Sequence, residues 1–210
     1  MTQPNALFLS FEGIDFSGKS TQARLVYEWF RQRDIPAMFV REPGGTALSE
    51  EIRRILLDRT YGTMCAEAEL FLFSAARAQL VRETILPALS SGIHVIADRF
   101  HDSTTAYQGY GRGIDLDAVR AIHRLALNGV YPHITFFFDI PYEESRRRRA
   151  LLNRPDDRME AQDETFYLRV RSGYAALAKH EPDRFIVLDG CRPVEEITRT
   201  ILQSIQERLT

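Results

Sequence analysis

The sequence predicts an α/β protein built around one parallel sheet. Short apolar segments alternate with longer amphipathic ones along the 210 residues, which is the pattern of βαβ units. The segments predicted as strands are apolar at almost every position, as expected for strands that helices cover on both faces. In such a doubly wound sheet, ligands bind beyond the carboxyl ends of the strands. We therefore expect the functional site at that edge.

Five strands and seven helices are predicted within one domain, residues 1–210, that shows no repeat or linker. The predicted strands cover residues 6–11, 37–41, 94–98, 134–139 and 185–189. The predicted helices cover residues 19–33, 49–57, 66–89, 116–127, 142–150, 164–180 and 194–209. Pro87 lies in the third helix, and we expect it to bend or end that helix because proline has no N–H to donate.

Composition narrows the class of protein. The 44% hydrophobic content is enough for a substantial core, and the net charge of −2 disfavours a dedicated nucleic-acid binder. Cys65 and Cys191 are far apart in sequence and predict free thiols in a reducing compartment. Residues 1–5 are polar and do not resemble a signal peptide, and no apolar run has the length of a membrane span. We expect a cytoplasmic protein.

A glycine-rich turn follows the first predicted strand. Gly13 and Gly18 enclose four residues, and Lys19 and Ser20 follow, which is the spacing of a phosphate-binding P-loop. Glycine lets successive backbone N–H groups face one anion, and the N-terminus of the next helix adds partial positive charge. Lys19 is expected to reach the β- and γ-phosphates of ATP, and Ser20 to ligate Mg²⁺. The residues predicted to bind ATP are Gly13, Ile14, Asp15, Phe16, Ser17, Gly18, Lys19, Ser20, Thr21 and, after the fifth strand, Arg192.

Charged residues also follow the second and third strands. Asp98 ends the third strand, where a carboxylate can hold the hydration shell of Mg²⁺. Arg99 suits a second anion, because a guanidinium binds phosphate oxygens two at a time. A salt bridge at the strand end is the alternative for both residues. Residues 41–45, Arg-Glu-Pro-Gly-Gly, predict a rigid substrate loop, although an ordinary turn has the same composition.

Two further segments can recognise a base. Phe73 and Arg77 share one face of the third helix, so the ring can cover a base while the guanidinium holds a carbonyl or a phosphate. Phe73 taken alone is more often a core residue, but Arg77 needs a partner in its apolar surroundings. Residues 103–109 are rich in hydrogen-bonding side chains that can read base edges. A helix N-cap would also explain Ser103.

A run of four arginines, residues 146–149, leads into a proline-containing segment. We expect a lid over about residues 146–160 that brings positive charge over a transferring phosphoryl group. A plain exposed helix is the alternative, and a nucleic-acid contact is disfavoured in a net-acidic chain.

Together these motifs resemble the bacterial type of thymidylate kinase. The resemblance rests on residues 11–15, 41–45, 98–100 and 106–109 and on Phe73 with Arg77, and it extends over nearly the whole chain. It implies a P-loop NTPase fold of the nucleoside monophosphate kinase type, with helices flanking a sheet of order 2-3-1-4-5. It implies transfer of the γ-phosphoryl group of ATP to dTMP, giving dTDP and ADP for dTTP synthesis. It also implies a homodimer. From the P-loop and the composition we further expect Mg²⁺ as the cofactor and no nucleic-acid or membrane partner.

The resemblance implies roles for matching residues. Asp15 would contact the deoxyribose, Phe73 would stack on thymine and Arg77 would bind a thymine carbonyl. Tyr107 would crowd the 2′ position. The predicted contacts to dTMP are Asp15, Glu42, Arg53, Phe73, Arg77, Arg99, Thr104, Tyr107 and Gln108. The predicted metal ligands are Ser20 and Asp98.

The bacterial type carries catalytic arginines in its lid, two of them four residues apart. Counting back from residues 157–160 places them at Arg149 and Asn153, with Arg154 one step off, so we favour Arg149 over Arg154. The predicted catalytic residues are Lys19, Arg99, Arg149, Asp15 and Arg154.

Three other functions remain as alternatives. A deoxynucleoside kinase would need a general base and no clamp for an acceptor phosphate. A P-loop switch or motor is disfavoured because the sequence has no N-K-x-D motif and no separate effector region. A nucleic-acid-dependent ATPase would use the arginine run.

Overall fold

Five parallel strands form the sheet in this computed structural model, which describes residues 6–152 and 154–209. The strand order is β2-β3-β1-β4-β5, as the sequence predicted. The strands are β1 Phe8–Glu12, β2 Ala37–Arg41, β3 His94–Asp98, β4 Ile134–Asp139 and β5 Phe185–Asp189. The central strand β1 pairs with β3 on one side and β4 on the other, with Leu9 opposite both Ile96 and Ile134.

The central strand begins and ends later than predicted, whereas the other four strands have the predicted bounds. The N–H of Leu7 donates to the side-chain Nδ1 of His94 at 2.9 Å and not to a backbone carbonyl of a neighbouring strand, so the regular strand begins only at Phe8. At the other end, Glu12 pairs with Phe137 of β4. The strand therefore carries Glu12 up to the first residue of the P-loop.

Helices cover both faces of the sheet. The α-helices in the described ranges are α1 Lys19–Arg31, α2 Ala47–Leu57, α3 Ala66–Leu80, α4 Leu86–Ser90, α5 His101–Thr104, α6 Leu116–Leu127, α7 Tyr142–Ala150, α8 Glu164–His180 and α9 Val194–Leu209. A 3₁₀ turn spans Arg59–Tyr61, and π-helical segments span Val81–Ile85 and Thr105–Gly111. The π-helical segment Thr105–Gly111 continues α5 and contains most of the hydrogen-bonding run that the sequence analysis singled out.

The long third helix does not end at Pro87. Its hydrogen bonding changes from the α to the π type over Val81–Ile85, and the α pattern resumes in α4. Pro87 lies in the first turn of α4, where a missing N–H costs no intrahelical hydrogen bond. The proline is tolerated because the preceding segment has already left the regular α pattern.

Side-chain caps explain where two helices begin. The hydroxyl of Thr46 accepts from the N–H of Ser49 at 3.1 Å, so α2 begins two residues earlier than predicted. The carboxylate of Asp163 accepts from the N–H of Phe166 at 2.7 Å at the start of α8. Both contacts satisfy N–H groups that have no intrahelical partner.

The core lies on both faces of the sheet. On one face, Phe11, Phe136 and Phe138 pack together and contact Phe30 of α1 and Ile201 of α9. On the other, Phe137 stacks on Tyr174 of α8 at 5.1 Å between ring centroids. This packing fixes the loops that leave the carboxyl ends of the strands.

Cys65 and Cys191 are free, as predicted, and both are exposed. No helix within residues 6–152 and 154–209 combines the length and apolarity that a membrane crossing requires.

Candidate active site

A cavity of about 610 Å³ opens at the carboxyl ends of the strands. It is lined by most of the predicted site residues, which are Asp15, Phe16, Ser17, Gly18, Lys19, Ser20, Thr21, Glu42, Arg53, Phe73, Arg77, Asp98, Arg99, Thr104, Tyr107, Gln108, Arg154 and Arg192. The predicted residues Gly13, Ile14 and Arg149 are not part of this lining. The sequence therefore located one site built from several distant segments.

Gly13 and Ile14 shape the P-loop from below. Gly13 has φ 145°, and a Cβ there would lie 2.7 Å from the carbonyl oxygen of Phe138, so only glycine fits. The side chain of Ile14 is buried in the core. Their carbonyl oxygens accept from the Arg99 guanidinium at 2.9 Å and from Lys19 Nζ at 3.4 Å. The backbone of the P-loop thus holds the guanidinium of Arg99 and the ammonium group of Lys19 in place at the cavity.

Lys19 lies buried at the floor of the cavity. Its Nζ lies 4.0 Å from Oδ1 of Asp15, and its one hydrogen bond among the described residues is to Ile14. Burial lowers the pKa of Lys19, and the positive charge of Arg99 acts in the same direction. An ammonium group has three donors, so Lys19 keeps donors for a phosphate.

Asp15 is a hub for donors from three other segments. Its Oδ1 accepts from Arg99 at 2.6 Å, and its Oδ2 accepts from the hydroxyls of Tyr167 at 2.8 Å and Tyr107 at 3.2 Å. Burial alone would raise the pKa of Asp15, but the charges of Arg99 and Lys19 outweigh burial and lower it. Asp15 is therefore ionised at neutral pH and ties the P-loop to the far wall of the cavity.

Arg99 has a left-handed backbone, with φ 72°, which is uncommon for a residue other than glycine. Its N–H donates to the carbonyl of Phe11 at 3.1 Å. Its guanidinium donates to Gly13 O, Ser103 Oγ, Tyr174 OH, Asp15 Oδ1 and Tyr107 OH, at 2.6 to 3.2 Å. Residues in such sparsely populated conformations persist where the surroundings over-determine them, and they cluster at functional sites.

Glu12 is the buried carboxylate beneath Arg99. It accepts from the N–H of Phe100 at 2.7 Å, and also from the hydroxyls of Ser103 at 2.6 Å and Tyr174 at 2.9 Å. It therefore fixes both the backbone after Arg99 and two of the side chains that hold its guanidinium. Burial raises the pKa of Glu12, with the charge of Asp102 as the next cause.

Two tyrosines of α8, Tyr167 and Tyr174, belong to the site but were not predicted from the sequence. They are seven residues apart and thus lie on one face of the helix. Both rings are buried while both hydroxyls reach charged groups at the site. A pair of tyrosines at this helical spacing is the signal that could have identified them.

Arg77 lies in the wall opposite the P-loop and is 2% exposed. It donates to Glu42 Oε2 at 2.7 Å, to Thr104 Oγ1 at 3.0 Å and to the carbonyl of Phe100 at 3.2 Å. Its burial in an apolar helix is thus compensated, as the sequence analysis required. Phe73, one turn earlier, lines the same cavity and is partly buried.

Glu42 carries a buried oxygen, Oε1, that has no hydrogen-bond partner among the described residues. Burial raises the pKa of Glu42 to about 7, although the charge of Arg77 opposes the shift. An unpaired polar atom at a cavity wall marks a place for a water, an ion or a ligand group. Arg53, which lines the same cavity, donates to the carbonyl of Pro43 at 3.0 Å.

Ser20 and Asp98 present a hydroxyl and a carboxylate to the cavity. No described residue donates a hydrogen bond to the side chain of Asp98. The described ranges contain no cluster of three or more His, Cys, Asp or Glu side chains able to hold a metal. This donor set fits Mg²⁺, which is usually bound through one or two protein groups together with substrate phosphates and water.

The lid contacts the P-loop through a residue that the sequence analysis did not select. Arg148 donates to the carbonyls of Phe16 at 3.2 Å and Gly190 at 2.7 Å. Ser145, three residues earlier on α7, donates to the carbonyl of Asp15 at 2.8 Å. The three-residue spacing places both on one helix face, and this is the signal that could have identified Arg148.

The two predicted lid arginines differ in position. Arg154 lines the cavity and donates to both oxygens of Glu160, at 2.7 and 2.6 Å. Arg149 donates to Asp156 and to the backbone carbonyl of Arg154. The catalytic roles of Arg149 and Arg154 stay predictions, and Asn153, the other predicted lid position, lies outside the described residues.

Known proteins resemble this chain over nearly its full length. Residues 11–201 match the family model for thymidylate kinase. A thymidylate kinase from Kosmotoga olearia is 46% identical over 199 residues, which is 94% of each chain. Another from Caldanaerobacter subterraneus subsp. tengcongensis is 43% identical over 202 residues, 96% of each. The crystal structure of thymidylate kinase from Ehrlichia chaffeensis is 35% identical with a TM-score of 0.79, covering 97% of this chain and 99% of that one. The chain therefore belongs to the thymidylate kinase family.

Proposed function

We propose that this protein transfers the γ-phosphoryl group of ATP to dTMP, giving dTDP and ADP. One observation carries the proposal: a single cavity joins the P-loop and Lys19 to the aromatic–arginine pair of Phe73 and Arg77. Donor and acceptor nucleotides would thus meet in one enclosed space. Membership of the thymidylate kinase family supports this assignment.

The chemistry of the acceptor fits the composition of the cavity. A nucleoside monophosphate is largely dianionic at neutral pH, because its second pKa is about 6. Its phosphate oxygen is already a nucleophile, so the reaction needs alignment and charge neutralisation more than a general base. Lys19, Arg53, Arg99 and Arg154 line the cavity, and no described histidine does. In this proposal, Arg53 and Arg99 hold the acceptor phosphate while Lys19 holds the β- and γ-phosphates of ATP.

Ser20 and Asp98 would hold Mg²⁺ together with the nucleotide phosphates. When bound, the metal would neutralise charge on the phosphates. Residues 146–160 would act as a lid within a single domain of residues 1–210, and Arg149 or Arg154 would approach the transferring group on closure. The contact of Arg148 with the P-loop supports this role for the segment.

The cavity wall opposite the P-loop would select which nucleotide is accepted for phosphorylation. Phe73 would stack on the base, while Arg77, Thr104 and Gln108 would meet its polar edge. Tyr107 would crowd the 2′ position and favour deoxyribose. Its buried ring and its hydrogen bond to Asp15 support this role, because they leave the ring little freedom to move aside.

A coupled ADP-release assay tests the proposal. Each nucleoside and deoxynucleoside monophosphate, and thymidine, is offered with ATP and Mg²⁺. We expect dTMP to give the highest kcat/KM. Thymidine as the better acceptor would point instead to a deoxynucleoside kinase, and ATP hydrolysis that ignores dTMP would point to a P-loop switch. Chelation by EDTA should abolish turnover, and added Mg²⁺ should restore it.

We also propose a cytoplasmic homodimer. Two large apolar side chains, Phe71 of α3 and Leu125 of α6, are 59% and 77% exposed on helices that pack against each other. If these two side chains form one contiguous apolar patch, that patch would mark an association surface. Sedimentation velocity should give about twice the 24.1 kDa chain mass, and a charged substitution at Phe71 should shift it to the monomer.

A further inference from the structure

Glu69 is a buried carboxylate to which the proposed reaction assigns no role. It lies in the first turn of α3 and is 1% exposed. It accepts from Gln108 Nε2 at 2.8 Å, from Arg112 Nε and Nη2 at 3.0 Å each, and from Arg158 Nη1 at 2.5 Å. Glu69 thus joins three segments: α3, which carries Phe73, the π-helical segment Thr105–Gly111, and the base of the lid.

The charge state of Glu69 fixes the direction of its hydrogen bonds. Burial would raise its pKa, but hydrogen bonds from Arg112, Gln108 and Arg158 and the charge of Arg112 outweigh burial and lower it. An ionised carboxylate can only accept hydrogen bonds. The amide nitrogen of Gln108 must therefore face Glu69, because the opposite rotamer would bring two acceptor oxygens together.

Fixing the nitrogen of this amide also fixes its oxygen. Gln108 is 1% exposed yet lines the cavity, and no described residue donates to its Oε1. Gln108 therefore presents a hydrogen-bond acceptor, its Oε1, to the cavity. A glutamine side chain that is free to rotate could offer either its N–H donors or its carbonyl acceptor to the cavity. Glu69 therefore determines that Gln108 offers the acceptor.

We propose that Glu69 is a specificity-positioning residue that holds Oε1 of Gln108 toward the N3–H of a pyrimidine base. The inference rests on the proposed function and deepens it. Thymine and uracil carry a donor at N3, whereas N3 of cytosine is an acceptor and would face the glutamine oxygen unpaired. The neighbouring Arg77 can donate to the O4 carbonyl of thymine but not to the N4 amino group of cytosine. Together, Gln108 and Arg77 would reject dCMP as acceptor.

The test is Glu69→Gln, which keeps the shape of the side chain and lets its amide either donate or accept. Gln108 can then rotate, and the acceptor facing the base is no longer enforced. We measure kcat/KM for dTMP, dUMP and dCMP. The dTMP:dCMP ratio should fall by about 10-fold or more, since base discrimination through paired polar groups is normally larger than that. The dTMP:dUMP ratio should stay unchanged, because both bases present the same N3–H and O4.

Arg112→Gln is the matched control. It removes a partner from the same carboxylate but leaves the contact between Glu69 and Gln108, so the dTMP:dCMP ratio should not move. If Glu69→Gln does not fold, Glu69→Asp keeps the charge that Arg112 and Arg158 need, shortens the reach to Gln108 and should lower the ratio in part.

A purely structural role would lower kcat/KM for all three acceptors equally and leave the ratios unchanged, and that result would overturn the inference. A wild-type enzyme that uses dTMP and already accepts dCMP equally well would overturn it too, while leaving the proposed function intact. Absence of wild-type activity with dTMP would instead refute the proposed function and this inference with it.

Discussion

Arg99 combines a left-handed backbone with a guanidinium bound on several sides. We expect Arg99→Ala to lower kcat/KM for dTMP by at least about 100-fold, which is typical when a charge-stabilising donor is removed. ATP binding should stay nearly intact, because Lys19 and the P-loop remain. Steady-state kinetics and ATP titration separate the two effects. Arg199→Ala, on the exposed face of α9, is the control. An equal loss of dTMP turnover and of ATP binding in Arg99→Ala would contradict the division of roles.

The pKa of Glu42, about 7, predicts a pH dependence. Glu42 is protonated below this pH and ionised above it, and we expect only the carboxylate to orient the acceptor region through its unpaired Oε1. kcat/KM for dTMP should therefore rise with pH through about 7. Glu42→Gln should remove this inflection and keep the one near 6 that belongs to the second ionisation of dTMP. Identical profiles for the two proteins would rule out this role.

At this scale the sequence identified residues better than it identified their partners. Arg77 required a buried partner on physical grounds, and Glu42 supplies it, but the two are 35 positions apart and no local pattern joins them. Tyr167 and Arg148 were missed because their hydroxyl and guanidinium groups contact the P-loop only after α7 and α8 dock against it.

Among the elements, the π-helical segment Thr105–Gly111 and α8 approach each other unusually closely. A Cβ on Gly173 would lie 2.7 Å from the ring of Tyr110, well inside van der Waals contact. Gly173→Ala should therefore destabilise the protein by about 1–3 kcal/mol through overpacking. Helix propensity favours alanine by about 1 kcal/mol and offsets part of this loss, so the net destabilisation is expected to be up to about 2 kcal/mol.

Urea unfolding monitored by circular dichroism measures this effect. Gly62→Ala is the matched control, since its Cβ would meet its nearest neighbour at an ordinary 3.5 Å on the exposed surface. A stabilised Gly173→Ala protein would show that α8 can shift without cost.

The same close approach explains what the sequence could not predict about the elements. Four strands were placed correctly because an apolar run between turn signals is a local feature. The π-helical segment Thr105–Gly111 depends instead on tertiary packing against α8, which is so close that a Cβ on Gly111 would lie 2.7 Å from the ring of Phe166. The sequence consequently showed only a run of hydrogen-bonding side chains over residues 103–109 and not the π-helical segment.

At the scale of the whole molecule, two buried histidines link stability to pH. Burial lowers the pKa of His123 to about 2 and that of His101 well below its usual range, and the rings pack edge to face at 5.3 Å. Both titrate near 6.5 when unfolded, so below that pH the unfolded state binds more protons and stability falls. Each histidine contributes a slope of up to about 1.4 kcal/mol per pH unit.

His123→Phe should therefore flatten the fall in unfolding free energy between about pH 6 and 4. Its stability at neutral pH also changes, because the hydrogen bond to Thr105 at 3.0 Å is lost, so the slope is the informative quantity. His180→Phe, at the exposed end of α8, should leave the slope as it is. An unchanged slope in His123→Phe would show that His123 already titrates normally in the folded protein.

The central position of β1 also has a consequence for the order of events during synthesis. β1 pairs with β3 and β4, whose partner residues are 95–98 and 134–137, and Gly13 packs against Phe138. The P-loop leaves the ribosome early, yet its supporting strands β3 and β4 are made about 80 and about 120 residues later. Because long-range pairing must wait for its partner, a nascent chain that ends before β4 should be unable to retain ATP. The phosphate-binding loop is thus among the first segments to be translated and among the last to take its working shape.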